Sequence, residues 1–259
     1  MARVRYARSP RDLEEAKHAR RASDEGVVRL LRCRYETDPE AVAAVVPRPL
    51  EALAVSEVEI AIASRAGEAV GGHGAMVGVR VDYDGCPGVM PLVMPGDDEA
   101  RLLAGRERFG EPGKRAVITL ESNEEDVSVE IVRRDVPFLR VSGRRVDELP
   151  VMEAAGVSFT FKAFPAADPS KDFDHDPQLV RSDWRIEPTR TWRLSGGVEL
   201  WESPFDPIAD LPVRRLVGME YAEGRYVREA RVLRPVPGDW LLPYLHQRDD
   251  APGIEGVDV

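Results

Sequence analysis

Short runs in which apolar and polar residues alternate dominate the chain and predict an almost entirely β protein. A period of two places apolar side chains on one face of a strand and polar side chains on the other. Strand-like runs occur at 27–37, 57–64, 75–83, 89–94, 115–122, 126–133, 136–142, 157–164, 178–186, 190–202 and 225–234. Many strands and few helices favour a curved antiparallel sheet or barrel over a doubly wound parallel sheet.

Helical patterns are few and short. Residues 10–23 form a charged helical pattern, and Asp38-Pro39 supplies an N-cap and a first-turn proline for a short apolar helix that Pro47 ends. Residues 97–109 are the best helix, with acids in the first turn and arginines in the last, as the helix dipole favours. The predicted fold class is therefore mainly β (α+β), with few short helices.

The chain shows neither an internal repeat nor a low-complexity linker, so one main domain is predicted. Residues 1–26 form a charged N-terminal helical segment, and residues 27–248 form the β-barrel domain. Residues 249–259 are acidic and contain proline and glycine, which is typical of a loose tail.

Charge and hydropathy narrow the partners and the location. The 259 residues carry a formal net charge of -10, which argues against sequence-independent nucleic-acid binding. No run approaches the roughly 20 apolar residues of a membrane span, and the N-terminus lacks the apolar core of a secretion signal. A cytoplasmic protein without a membrane partner is expected. Cys33 and Cys86 are too few for a disulfide framework and are interpreted as idle thiols.

Lysine is scarce in this chain. Among 36 basic residues only Lys17, Lys114, Lys162 and Lys171 are lysines. Arginine replaces lysine wherever a plain positive charge suffices, but it cannot act as an amine nucleophile near neutral pH. A remaining lysine therefore carries slightly more weight, and Lys114, between a Pro-Gly turn and Arg115, is either a catalytic amine or an ordinary loop lysine.

The sequence gives little support for other common kinds of catalytic or metal site. The sequence has no Gly-rich phosphate loop, no GxSxG elbow and no HExxH helix. Residues 172–176 (DFDHD) include metal-ligand types, but such a cluster in a polar loop is usually solvated, and no metal site or cofactor is predicted. Trp184, Trp192 and Trp201 could line a ligand pocket, although large aromatic residues on strands more often belong to the core.

Three blocks of sequence resemble the acetoacetate decarboxylase superfamily and occur in its order. They are YETDPEAV with VVPRPL at 35–50, AGRE to GEP at 104–112, and DLPV at 210–213 with the strand after Tyr221. The resemblance covers roughly residues 27 to 235. It implies a cone-like antiparallel β-barrel that assembles into a homo-oligomer. It further implies that an interior lysine forms a Schiff base with a β-keto acid, activated beside a second cation.

The position of that lysine stays open. An ungapped match to the family pattern puts Gly113 at the nucleophile position and Lys114 at the helper position. A match shifted by one residue makes Lys114 the nucleophile and Arg115 the adjacent cation, which preserves the electrostatic arrangement. The first alignment implies a non-catalytic binding or scaffold protein, and the second implies an enzyme.

The resemblance also points to acidic residues and an arginine in the pocket. Glu59 is the candidate catalytic acid, with the alternative of a solvated edge carboxylate. His73 stands near the second acidic position, where it could bind substrate or remain a solvated loop histidine. The expected arginine falls near Val28, which leaves Arg29 and Arg32 close but unmatched, and Arg29 is taken as the substrate-binding candidate.

The functional expectation is a cofactor-free Schiff-base lyase that acts on a small oxo acid or related carbonyl compound. Decarboxylation and aldolase- or dehydratase-type chemistry share the same iminium and enamine pair. The alternative is a small-molecule-binding or scaffold member that has lost the nucleophilic lysine.

Overall fold

The computed structural model describes residues 7–22, 25–66 and 72–247. The predicted tail at 249–259 lies outside these residues. Four α-helices are present in the described part: α1 (Pro10–Ala22), α2 (Pro39–Val45), α3 (Glu99–Phe109) and α4 (Gly238–Leu241). None of the helices in these ranges is both long enough and apolar enough to span a bilayer.

Twelve strands form one continuous sheet in the described part of the chain. In chain order they are β1 (Glu25–Glu36), β2 (Glu51–Ala52), β3 (Glu57–Ala66), β4 (Gly72–Tyr83), β5 (Cys86–Gly96), β6 (Gly113–Arg115), β7 (Val117–Ser122), β8 (Asp126–Arg133), β9 (Val136–Glu148), β10 (Ala154–Lys162), β11 (Gln178–Leu200) and β12 (Arg215–Pro235). The mainly β fold predicted from the alternating pattern is confirmed.

Seven of these strands close into a barrel. The order β10-β5-β4-β3-β1-β12-β11 returns to β10 because β10 also pairs with β11. The pairs are antiparallel except β5 with β10, which are parallel and share the pairing of Ser158 with Val89. The barrel predicted by the family resemblance is confirmed, and one parallel pair makes it mixed rather than purely antiparallel.

The longest strand, β11, extends the sheet beyond the barrel. The first part of β11 pairs with β10, and residues 192–200 pair with β9, which continues the sheet to β8 and β7. The sequence pattern predicts two strands here, at 178–186 and 190–202, because Pro188 interrupts it. The structure instead has one strand whose register with β12 shifts between Pro188 and Arg190. Such a bulge accommodates a proline without ending the strand.

The barrel wall has two faces of different character. On β3, Val58, Ile60 and Ile62 are buried in the main hydrophobic core, whereas the alternating residues Glu59, Ala61 and Ala63 line a cavity. Strand β1 alternates in the same way, with Leu31, Cys33 and Tyr35 in the main core. Successive side chains on a strand point to opposite faces, so position along each strand decides which residues reach the cavity.

The two cysteines are expected to differ in reactivity. Cys33 is buried, and burial raises the pKa of its thiol to about 12, whereas Cys86 at the start of β5 is half-buried. Because the thiolate is the reactive form, iodoacetamide at neutral pH should label Cys86 in the folded protein and spare Cys33. Peptide mass spectrometry would check this, with the urea-unfolded protein labelled at both sites as the control. Labelling of native Cys33 as fast as Cys86 would contradict the burial.

Candidate active site in the barrel cavity

A cavity of about 280 Å³ lies inside the barrel. All seven barrel strands and helix α3 contribute to its lining, so it lies within the ring of strands. Its apolar lining includes Val28, Leu30, Ala61, Ala63, Ala75, Met76, Val89, Pro91, Met94, Leu102, Phe109, Trp184 and Tyr226. The size falls at the lower end of ligand pockets, and the lining is mostly apolar with a few charged groups, as in many small-molecule sites.

Helix α3 closes one side of the cavity, and its ends are fixed by local chemistry. The Asp98 side chain accepts a hydrogen bond from the Arg101 backbone N–H at 3.2 Å, which caps the helix N-terminus. Gly110 ends the helix with φ at 71°, a left-handed conformation that suits glycine. A side chain at Gly110 would also collide with the Lys162 backbone, at 2.5 Å. The turn therefore directs residues 111–115 back along β5.

A buried carboxylate lies in the cavity wall. The Glu59 residue is 2 % exposed, and its Oε1 accepts a hydrogen bond from an Arg32 terminal nitrogen at 3.2 Å. The Nη1 atom of Arg80 lies 3.9 Å from the other carboxylate oxygen. The Arg32 guanidinium also lies 5.0 Å from the centre of the Trp184 ring. A carboxylate this deeply buried requires paired cations, so Glu59 and Arg32 form one structural unit.

A second pair of charges lies beside helix α3. Nη1 of Arg228 donates to Oε1 of Glu111, and the Arg228 guanidinium lies 4.2 Å from the centre of the Phe109 ring. Gly105 leaves room for the Glu111 carboxylate, since a Cβ at position 105 would be 2.1 Å from its Oε2. The GEP motif after α3 thus places an acid that holds an arginine at the cavity.

Gly113 and Lys114 lie on opposite faces of β6. Strand β6 runs parallel to β5, with Met94 opposite Gly113 and Pro95 opposite Lys114. Gly113 lines the barrel cavity, and Lys114 is absent from that lining among the described residues. Both residues border a second cavity, of about 250 Å³, beside α3. A Cβ at Gly113 would lie 3.3 Å from side-chain carbons of Leu102 and Arg106, a tight but adjustable contact.

The Lys114 side chain instead joins a buried cluster of charges. Its Nζ donates to Oδ1 of Asp206 and to the Phe205 carbonyl, both at 3.2 Å, and the side chain is 5 % exposed. Nε of Arg133 donates to the other Asp206 oxygen at 2.5 Å, and its Nη1 donates to the Arg115 carbonyl at 3.1 Å. The cluster joins β6, β8 and the loop between β11 and β12. The Lys114 amine is thus held by a carboxylate and a backbone carbonyl inside this cluster.

The five residues predicted from sequence divide among three places. Glu59 and His73 line the barrel cavity together. Lys114 and Arg115 border a different cavity of about 250 Å³ between α3 and β6. Arg29 is exposed and lies 3.7 Å from Glu223 on the neighbouring strand. Arg29 and Arg32 are three residues apart, so they point to opposite faces of β1, and Arg32 is the one that reaches the barrel cavity.

Seven charged residues of the cavity lining are absent from the predicted site residues: Arg32, Arg65, Asp98, Arg101, Arg108, Glu111 and Arg228. Arg32 is unmatched in the family resemblance, and its alternation with Val28 and Leu30 on β1 is the signal that assigns it to the cavity face. Glu111 lies in the recognised GEP motif without an assigned role. Arg228 carries no local signal, because its position depends on the pairing of β12 with β11.

His73 is held by its backbone. Its N–H donates to Oδ1 of Asp97 at 2.7 Å, and its carbonyl accepts from the Asp97 N–H at 3.1 Å. The ring nitrogen Nδ1 is buried and has no hydrogen-bond partner in the part of the chain that the structure describes. Within those same residues, no group of three or more His, Cys, Asp or Glu side chains converges as a metal site.

The fold and the cavity define a barrel protein with a cavity of small-molecule size, and comparisons with known proteins identify its family. The model of the acetoacetate decarboxylase family matches residues 9–236. An acetoacetate decarboxylase of Burkholderia vietnamiensis is 30% identical over 203 residues, which cover 74% of this chain and 78% of that protein. The chain belongs to the acetoacetate decarboxylase family.

Solved structures have the same fold. A structure of acetoacetate decarboxylase aligns with a TM-score of 0.71 and 18% identity, covering 82% of this chain and 89% of the other. The enduracididine biosynthesis enzyme MppR, complexed with pyruvate, aligns with a TM-score of 0.67 and 15% identity, covering 82% and 90%. These likenesses show that the barrel fold is shared.

Proposed function

We propose that this protein binds a small oxo acid or related carbonyl compound in the barrel cavity without forming a Schiff base there. One observation carries the proposal: Gly113, which has no side chain, lines the cavity, whereas the neighbouring Lys114 points to the opposite face. Of the described lysines, Lys114, Lys162 and Lys171, none lines the cavity. The ligand class follows from the family and from the pyruvate complex of MppR.

Non-covalent binding is consistent with the chemistry of the cavity wall. A bound carbonyl or carboxylate oxygen requires hydrogen-bond donors, and Arg32 and Arg228 supply guanidinium groups at the cavity. Glu59 is the acid of the same wall, and its contact with Arg32 orients both groups. These residues bind and orient a ligand, and Glu59 remains a candidate for proton transfer to or from it.

A Schiff-base lyase that uses Lys114, with Arg115 beside it, is the second candidate. The observation in its favour is that Lys114 is buried and borders the cavity of about 250 Å³ next to α3. Its difficulty is geometric, because the Lys114 amine is hydrogen-bonded to Asp206 and to the Phe205 carbonyl and is absent from the lining of the barrel cavity. Homo-oligomeric assembly and a cytoplasmic location stay predictions.

Reductive trapping distinguishes the two candidates. The protein would be incubated with pyruvate or acetoacetate and borohydride, and intact and peptide mass spectrometry would locate any adduct. We expect no adduct on Lys114, together with ligand binding measured by calorimetry, because the amine is bound to Asp206 away from the cavity. The Lys114→Arg variant should bind equally well, since it keeps the charge.

Two outcomes would contradict this expectation. An adduct on Lys114 that disappears in Lys114→Arg would establish the Schiff-base lyase. Failure of a panel of small oxo acids and aldehydes to bind at all would remove the proposed function.

A further inference from the structure

The geometry points to an oxo acid with two carboxylates as the ligand of the barrel cavity. This inference rests on the proposed function and narrows its ligand class. It is carried by Arg32, Trp184 and Arg228, which we call the two-arginine wall. Arg32 binds Glu59 and lies over the Trp184 ring, whereas Arg228 binds Glu111 and lies over the Phe109 ring. Arg65, Arg101 and Arg108 also belong to the cavity lining.

The first arginine is only partly used by its protein contacts. Arg32 reaches Glu59 through one terminal nitrogen at 3.2 Å and lies against Trp184. Its Nε is buried and has no hydrogen-bond partner among the residues described. A guanidinium has five N–H donors in a planar fork, so one contact with Glu59 leaves capacity for a second carboxylate. The side chain is 24% exposed, in contrast to 3% for Glu59, so the arginine is the accessible member of the pair.

The second arginine lies directly across the sheet from the indole. In the register of β11 and β12, Trp184 is opposite Arg228. Opposite residues in an antiparallel pair point to the same face, with Cβ atoms about 5 Å apart. The Arg228 side chain is 19% exposed, and it contacts the Glu111 carboxylate and the Phe109 ring.

The Trp184 indole occupies space that a side chain at Gly156 would otherwise fill. Gly156 is opposite Trp184 on β10, and a Cβ at that position would lie 2.4 Å from the Trp184 ring. The ring therefore packs closely against β10 at Gly156, and the Arg32 guanidinium lies over it. Both arginines are oriented before a ligand arrives, which reduces the entropy lost on binding.

Two oriented guanidinium groups favour a diacid over a monoacid for a physical reason. Planar forks match carboxylates in a bidentate manner, which a point charge does not. A monoacid that fills the cavity binds one guanidinium group with its carboxylate. It displaces water from the second guanidinium group without replacing the hydrogen bonds that the water made. A diacid satisfies both, and a site built for two polar groups discriminates against a ligand that lacks one. The cavity of about 280 Å³ limits the diacid to a short chain.

The test compares two ligands of equal chain length by isothermal titration calorimetry, 2-oxoglutarate and 2-oxopentanoate. The wild-type protein should bind the diacid about tenfold more tightly or better, which corresponds to about 1.4 kcal/mol. Arg32→Gln and Arg228→Gln should each remove most of this preference while they retain binding of the monoacid. Equal affinity of the wild-type protein for the two ligands would overturn the inference and leave the proposed function intact.

Control variants separate recognition from folding and from general charge. Arg185 follows Trp184 on β11, faces outward, and has its Nε 3.5 Å from Glu187. Arg185→Gln should therefore leave the preference for the diacid unchanged. Arg32→Gln alone removes the cation that is hydrogen-bonded to the buried Glu59 carboxylate. The double variant Arg32→Gln, Glu59→Gln removes both charges and so avoids an unpaired buried carboxylate. A diacid preference that survives in this folded double variant would overturn the role of Arg32. Binding of neither ligand by the wild-type protein would remove the proposed function and the inference with it.

Discussion

Replacing Gly113 by lysine is expected to give the cavity an amine that small oxo acids can trap. Position 113 lines the barrel cavity, from whose lining Lys114 is absent, although both residues border the smaller cavity beside α3. The lysine would be largely desolvated, which favours the neutral, nucleophilic form. Pyruvate with borohydride should therefore convert most of the Gly113→Lys protein to an adduct and leave the wild-type protein unmodified.

The site of the adduct makes this result specific. Peptide mass spectrometry should place it on residue 113, and it should persist in the double variant Gly113→Lys, Lys114→Arg. A new Cβ would lie 3.3 Å from Leu102 and Arg106 carbons, so Gly113→Lys with Leu102→Ala tests whether crowding limits the reaction. If neither protein is trapped although both remain folded and bind pyruvate, then position 113 does not present an amine to the ligand.

The second large effect concerns stability. Asp206 is fully buried and accepts hydrogen bonds from both Lys114 and Arg133, so Asp206→Asn should leave two buried cations without their anion. Breaking a buried ion pair in this way costs about 3–5 kcal/mol of the free energy of unfolding. Chemical denaturation monitored by circular dichroism would measure the loss.

Asp183 offers a matched control for this prediction. It also binds two arginines, Arg181 and Arg231, but its side chain is 37% exposed. Solvent screens such pairs, so Asp183→Asn should cost less than about 1 kcal/mol. A similar small cost for Asp206→Asn would mean that the Lys114 cluster does not support the fold, and the case against a catalytic role for Lys114 would weaken.

The fold could be predicted largely because its information is local. Alternation along β3, β4 and β8 and the capped helix α3 are visible in sequence. The first half of β12 was missed, and the closing contact between Val89 and Ser158 could not be predicted. That contact joins strands far apart in sequence and depends on the curvature of the whole sheet.

The candidate site could be predicted less well because successive side chains on a strand point to opposite faces of the sheet. A slip of two residues leaves a side chain on the same face, so Glu59 reaches the cavity despite its uncertain register. A slip of one residue changes the face, and this is the difference between Gly113 and Lys114. Arg228 needed the cross-strand register with Trp184, which no local pattern in the sequence contains.

The alternation along β6 also bears on how such a protein can change over evolution. Deleting one residue between Gly110 and Lys114 would shorten the turn and bring an amine to the inward position, while Arg115 would take the outward one beside Asp206. One codon inserted or removed is thus a route to gain or loss of an inward amine on this scaffold, alongside substitution at position 113. Lys114 also binds the buried Asp206, so selection for folding alone is enough to retain this lysine.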